Sequence, residues 1–95
     1  MGYTTSTMIC IHTPKERVME LVDYYTLRGE IVHLSCFNIL DYPLTEDDLY
    51  IDMDKEKINL SDKLIVIGEV SSADTYVHTL VEYAKNCGKS IQYVS

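Results

Sequence analysis

Nine residues in three segments could bring chemistry to one place: His12 and Thr13, Phe37 and Asn38, and Gly68, Glu69, Ser71, Ser72 and Asp74. Glu69 offers a carboxylate that could accept hydrogen bonds from ribose hydroxyls, as acidic residues do in dinucleotide sites; an exposed loop glutamate is the equal alternative. Ser72 and Asp74 stand just ahead of a helical pattern, where their commonest role is to cap the first turn. The same groups, with the N–H groups of the helix start, could also hold a phosphate or a hydroxyl. Glu69 and Asp74 are the weak candidates for catalysis, and all nine residues form the candidate ligand-binding set.

Other chemical readings find less support. His12, His33 and His78 lack metal-ligand spacing, and no cysteine pairs with a histidine at zinc-site intervals, so no metal is expected. His33 reads as a core or edge histidine of a strand, and His78 with Glu82 as an i, i+4 surface pair. There is no GxGxxG, no Walker loop and no serine nucleophile elbow, and no cofactor is expected. Asp47, Asp48, Asp52 and Asp54 read as the solvated face of an acidic helix, which could alternatively dock a protein.

The formal charge of −7 and a pI near 4.7, with no basic patch, disfavour nucleic acid and anionic membrane surfaces as partners. No apolar run approaches the roughly 18 residues that span a bilayer. Three widely spaced cysteines argue against a disulfide framework, and no apolar signal stretch opens the sequence, so a cytoplasmic location is expected. Ninety-five residues make one domain. A domain this small buries only about 60–65% of its unfolded surface, so a homodimer or higher homo-oligomer is expected.

The elements that must position the candidate residues follow from apolar periodicity. The opening MGYTTS reads as a frayed or tag-like lead, and residues 1–6 as flexible. Met8–Ile11 is a continuous apolar run, as in a strand covered on both faces. Thr13-Pro14-Lys15-Glu16 has the form of a capping box, and Val18, Leu21, Val22 and Tyr25 form one helical stripe that stops at Gly29. Ile31–Phe37 reads as a second strand and 38–44 as a loop around Tyr42-Pro43. A second helix is expected from Thr45 to about Lys57, with Leu49, Met53 and Ile58 facing inward. Leu64–Ile67 is the most apolar run and the expected central strand. Gly68–Ala73 is a loop, Val77, Leu80, Val81 and Ala84 mark a third helix from Asp74 to the stop at Gly88, and Ser90–Val94 is the last strand.

Strands alternating with helix-length connections predict a parallel sheet with right-handed crossovers. The order 2-1-3-4 puts helices on both faces, giving a three-layer α/β sandwich of four strands and three helices. Its topology reverses between the first and third strands, and ligands of open α/β sheets bind at such switch points beyond the carboxyl ends of the strands.

The stretch from Lys57 to Ile67 (KINLSDKLIVI), followed by Val81-Glu82-Tyr83-Ala84-Lys85-Asn86-Cys87-Gly88-Lys89, resembles the C-terminal half of nucleoside 2-deoxyribosyltransferase-like proteins, which often read "KIDLADEILVIN…GESTRREIEYAKKLGKPV" there. Thr26–Val32 is similar to their "LTLKGYIV". The likeness extends over most of the chain from Met8 and is densest over Lys57–Lys89. It implies a flavodoxin-like (Rossmann-like) sheet, a nucleoside or nucleotide ligand and an oligomer. In active members a glutamate of the third helix attacks the anomeric carbon of the sugar. Ungapped, that glutamate falls on Leu80, the serine of "GES" on Tyr76, the asparagine after the third strand on Gly68, and the histidine of "MHKRKI" on Asp54. The "GST" loop after the first strand is replaced by Ile11-His12-Thr13-Pro14. Glu82, the nearest carboxylate, lies about 200° round the helix from Leu80 and reads as solvated.

Scaffold kept and nucleophile lost imply a pseudoenzyme that binds a nucleotide-type small molecule, as a sensor or a sequestering protein. That reading takes Leu80 to face the pocket. Two alternatives stand beside it. One is an active deoxyribosyltransferase or nucleotide N-glycosidase with a relocated carboxylate, and the other is a protein-interaction module.

Overall fold

A computed structural model describes residues 3–39 and 49–94. Its elements are β1 (Thr4–Cys10), α1 (Lys15–Leu27), β2 (Glu30–Leu34), α2 (Cys36–Ile39), α3 (Tyr50–Asn59), β3 (Lys63–Ile67), α4 (Thr75–Asn86) and β4 (Ser90–Val94). The strands form one parallel sheet in the order β2-β1-β3-β4.

The continuous apolar runs are explained by burial on both sides. Met8 and Cys10 of β1 and Ile65 and Ile67 of β3 pack against Val18, Leu21 and Tyr25 of α1. The alternate residues Ile9, Leu64 and Val66 pack on the other face against Ile51 and Ile58 of α3 and Val77, Leu80, Val81 and Ala84 of α4. A period of two splits each central strand between two cores. The result is the expected three-layer α/β sandwich with the flavodoxin-like strand order, carrying four helices among the described residues where three were expected.

Several local expectations are corrected. Thr4–Ser6 are no frayed lead but the start of β1, paired with β2 from Thr4 opposite Glu30. Their polar side chains disguised a strand whose Ser6 and Thr7 are fully buried, with the Thr7 hydroxyl 2.7 Å from that of Ser61. The capping box does not form: Pro14 holds the N-cap position, and the Thr13 hydroxyl turns back to donate to the Ile11 carbonyl at 3.0 Å.

β2 ends at Leu34, three residues before its expected end, because Ser35 and Asp54 turn the chain into α2. Asp54 Oδ2 accepts the Ser35 hydroxyl at 2.7 Å, and its Oδ1 accepts the Cys36 N–H at 3.0 Å; Ser35 Oγ in turn accepts the Phe37 N–H at 3.1 Å. The four-residue helix is thus capped by its own serine and by a carboxylate from α3.

Asp54 is 0% exposed, the opposite of the solvated face expected for it; Asp52 is exposed, and Asp47 and Asp48 lie outside the described residues. Burial of Asp54 sets the phase of α3. Ile51, Asp54 and Ile58 face inward, while Met53 (55% exposed) and Leu49 (85%) face out. The expected start at Thr45 and the loop residues 40–44 lie outside the described residues.

Candidate functional site

β1 and β3 end side by side. The Ile11 N–H donates to the Ile67 carbonyl at 2.9 Å, and the Gly68 N–H donates to the Val94 carbonyl at 2.8 Å. Gly68 has φ +93°, and a Cβ there would lie 2.8 Å from the Ile11 carbonyl oxygen, so any side chain would force the two strand ends apart. His12 adopts the left-handed conformation, φ 50°, which throws its side chain outward from the end of β1. This is the topological switch point expected from the strand order.

The loop from Gly68 then runs to Asp74 at the start of α4. Asp74 occupies the N-cap position without a side-chain cap bond. Its Oδ2 points back into the loop instead, accepting the Ser71 N–H at 2.9 Å and the Ser71 hydroxyl at 3.0 Å. The expected capping role is therefore corrected, because the serine three residues back supplies two donors to the same oxygen. The Ser71 N–H is the main cause that holds the Asp74 carboxyl below its ordinary range. Desolvation opposes it, and the Ser71 hydroxyl and the His12 and His78 imidazoles add to it. His78, one turn into α4, fixes the loop from the other side through Nε2, 2.9 Å from the Ser71 carbonyl oxygen.

The structure thus gathers His12, Thr13, Gly68, Ser71 and Asp74 at the switch point, with Glu69 and Ser72 exposed on the same loop. His78 was missed as a member, having been read only as a surface partner of Glu82. Its spacing from Asp74, one helical turn, was the available signal. His78 also lines a groove of about 400 Å³ between α3 and α4, with Lys55, Glu82 and Tyr83, and Glu82 is exposed there as expected.

Phe37 and Asn38 serve the scaffold. Asn38 Oδ1 accepts the Cys10 N–H and its Nδ2 donates to the Cys10 carbonyl, each at 2.7 Å, continuing the ladder of β1 where β2 has ended. Phe37 stacks on Tyr76 with 6.0 Å between ring centroids.

Leu80 does not face a pocket. It is 0% exposed within the core under α4, so the expectation that it presents an aliphatic side chain to a ligand is overturned. The side chains of α4 that point inward meet the sheet and α3. Among the described residues the buried acid on that side of the sheet is Asp54, enclosed by the Tyr76 hydroxyl at 2.5 Å, by Ser35 and Cys36, and by Lys57 Nζ at 3.6 Å. These contacts from four residues make Asp54 a structural hub.

The buried thiols are poor nucleophiles. Burial pushes Cys10 to about 11 against the opposing charge of Arg17, and burial together with the Asp54 charge raises Cys36 although Lys57 opposes it. Among the described residues no three His, Cys, Asp or Glu side chains gather as metal ligands, and no helix is long and apolar enough to cross a membrane. What the switch point can do is accept hydrogen bonds through an ionised carboxylate and offer the exposed His12 imidazole and the N–H groups of the α4 start to a ligand. Comparison with protein-family models, curated proteins and solved structures finds no match to this chain.

Proposed function

We propose that the chain binds a small nucleotide-type molecule at the carboxyl ends of β1 and β3, without chemistry on it. The observation that carries the reading is Asp74, whose Oδ2 is anchored by two Ser71 donors at the switch point, within the electrostatic reach of His12 and His78. An ionised carboxylate suits ribose hydroxyls, and the imidazoles and the start of α4 suit a phosphate. The same anchoring argues against catalysis. A carboxylate whose proton affinity is lowered and whose Oδ2 already accepts two hydrogen bonds is a weak base and a weakened nucleophile.

Isothermal titration against nucleoside monophosphates, cyclic nucleotides and ADP-ribose tests this. Binding by at least one of them, weakened tenfold or more in Asp74→Ala and in His12→Ala, is the expected result. Silence across the panel overturns it. Release of free base from 2′-deoxynucleosides or their monophosphates, lost in Asp74→Asn or Glu69→Gln, would replace binding with N-glycosidic chemistry.

A further inference from the structure

Among the described residues β4 is an edge strand, and its own sequence lacks the usual protection. Ser90-Ile91-Gln92-Tyr93-Val94 holds no charge, no proline and no bulge on a chain of net charge −7. The opposite edge, β2, carries Glu30 and His33. Proteins normally block open edges with charged side chains, prolines or bulges, because unpaired N–H and C=O groups recruit another strand. Tyr93 adds a large side chain that is 59% exposed.

The backbone shows which groups are available. The Val94 carbonyl receives the Gly68 N–H and so points toward β3. By alternation, the N–H and C=O groups of Ile91 and Tyr93 point away from the sheet. The strand is also self-complementary. An antiparallel copy centred on Gln92 sets Ile91 against Tyr93 of the second chain and Tyr93 against its Ile91. Both pairs then exchange N–H···O bonds, about four in all, and the two Gln92 residues meet as a non-hydrogen-bonded pair with Cα atoms about 4.5 Å apart.

From this we infer that the chain forms a two-fold homodimer through β4, joining two four-stranded sheets into one. β4 contributes no charge of its own, and the Lys63 ammonium that donates to Gln92 Oε1 at 3.0 Å is paired with Glu30. Two copies of a −7 chain can therefore meet here without opposing unpaired like charges, which favours a second copy as the occupant. The two-fold axis lies perpendicular to the sheet, so both α1 helices stay on one face. The groove of about 590 Å³ beside β4, lined by Arg17, Tyr24, Tyr25, Gln92 and Val94, then becomes half of a shared trough. The two switch points lie at opposite ends of the joined sheet and stay open, so the dimer does not depend on the proposed ligand.

Sedimentation equilibrium over about 1–100 μM reads the mass, because association through a specific face depends on concentration. The wild-type chain is expected to dimerise, and Tyr93→Lys to be monomeric with an unchanged circular dichroism spectrum, since Tyr93 is exposed. Ile31→Lys on the β2 edge is expected to remain dimeric. Mild oxidation of Gln92→Cys in a Cys87→Ser background is expected to trap the dimer as a symmetric disulfide. A wild-type chain monomeric throughout the range, a dimer that survives Tyr93→Lys, or one abolished by Ile31→Lys overturns the inference.

Discussion

Gly68→Ala probes the geometry of the switch point directly. At φ +93° an alanine incurs the cost of a positive φ, about 1–2 kcal/mol. Its Cβ would also sit 2.8 Å from the Ile11 carbonyl oxygen, which is backbone and cannot swing aside as a side-chain tip could. Relief requires the ends of β1 and β3 to separate. That strains the Ile11–Ile67 and Gly68–Val94 hydrogen bonds, each worth about 0.5–1.5 kcal/mol net. Together the loss is about 2–5 kcal/mol, which lowers Tm by about 10–40 °C in a domain of this size. Gly88→Ala is the internal control, since Gly88 has φ +72° but nothing within 4 Å of its missing Cβ. It should lose only the conformational part. Urea and thermal unfolding followed by circular dichroism measure both. If Gly68→Ala is no worse than Gly88→Ala, the close approach of the two strand ends is wrong, and with it the shape of the candidate site.

Other perturbations address the remaining features. Asp54→Ala leaves the Tyr76 and Ser35 hydroxyls, the Cys36 N–H and Lys57 without their shared acceptor, and should cost about 3–5 kcal/mol. A double-mutant cycle with Tyr76→Phe should show coupling of about 1–3 kcal/mol, and additive losses would contradict the hub. Alkylation of the native protein at pH 8 should modify the exposed Cys87 and spare Cys10 and Cys36; modification of all three at one rate would contradict their burial. For Asp74 the folded value lies below the ordinary one. Its stabilisation is therefore complete above about pH 4 and fades as pH falls through the folded value. The urea-midpoint gap between wild type and Asp74→Asn should be small, since the group is largely solvated, and should shrink on acidification. A gap independent of pH would contradict the anchoring by Ser71.

The parts legible in the sequence were those fixed by apolar period. Val18, Leu21 and Tyr25 on α1 and Val77, Leu80, Val81 and Ala84 on α4 are buried where their spacing put them, and the two-sided strands gave the order 2-1-3-4. Legibility failed where a polar residue was buried in partnership. Asp54 has the spacing of a core residue with Ile51 and Ile58, but a carboxylate is read as solvated until its donors are known, and those come from Ser35 between β2 and α2, from α2 and from α4. Thr4–Ser6 were unreadable because no apolar period marks them: Thr4 is exposed, and Ser6 is buried although its hydroxyl finds no hydrogen-bond partner among the described residues. At the candidate site the residue types of Ser71 and Asp74 were readable, but the direction of the carboxylate depended on a loop conformation that leaves no periodic trace. Leu80 failed differently: the family pattern assigned it a pocket, while its own helical stripe had already placed it in the core.

The enclosed carboxylate of Asp54 also governs how the molecule opens. A helix of four residues cannot persist alone, because nucleation is unfavourable and elongation has no room to repay it. α2 therefore exists only while α3 holds its first turn, and α3 in turn is tied to α4 by the Tyr76 hydroxyl. The amide protons of Cys36 and Phe37 should then exchange with solvent on the timescale at which α3 and α4 detach together. This half of the sandwich comes apart as a single unit instead of fraying helix by helix.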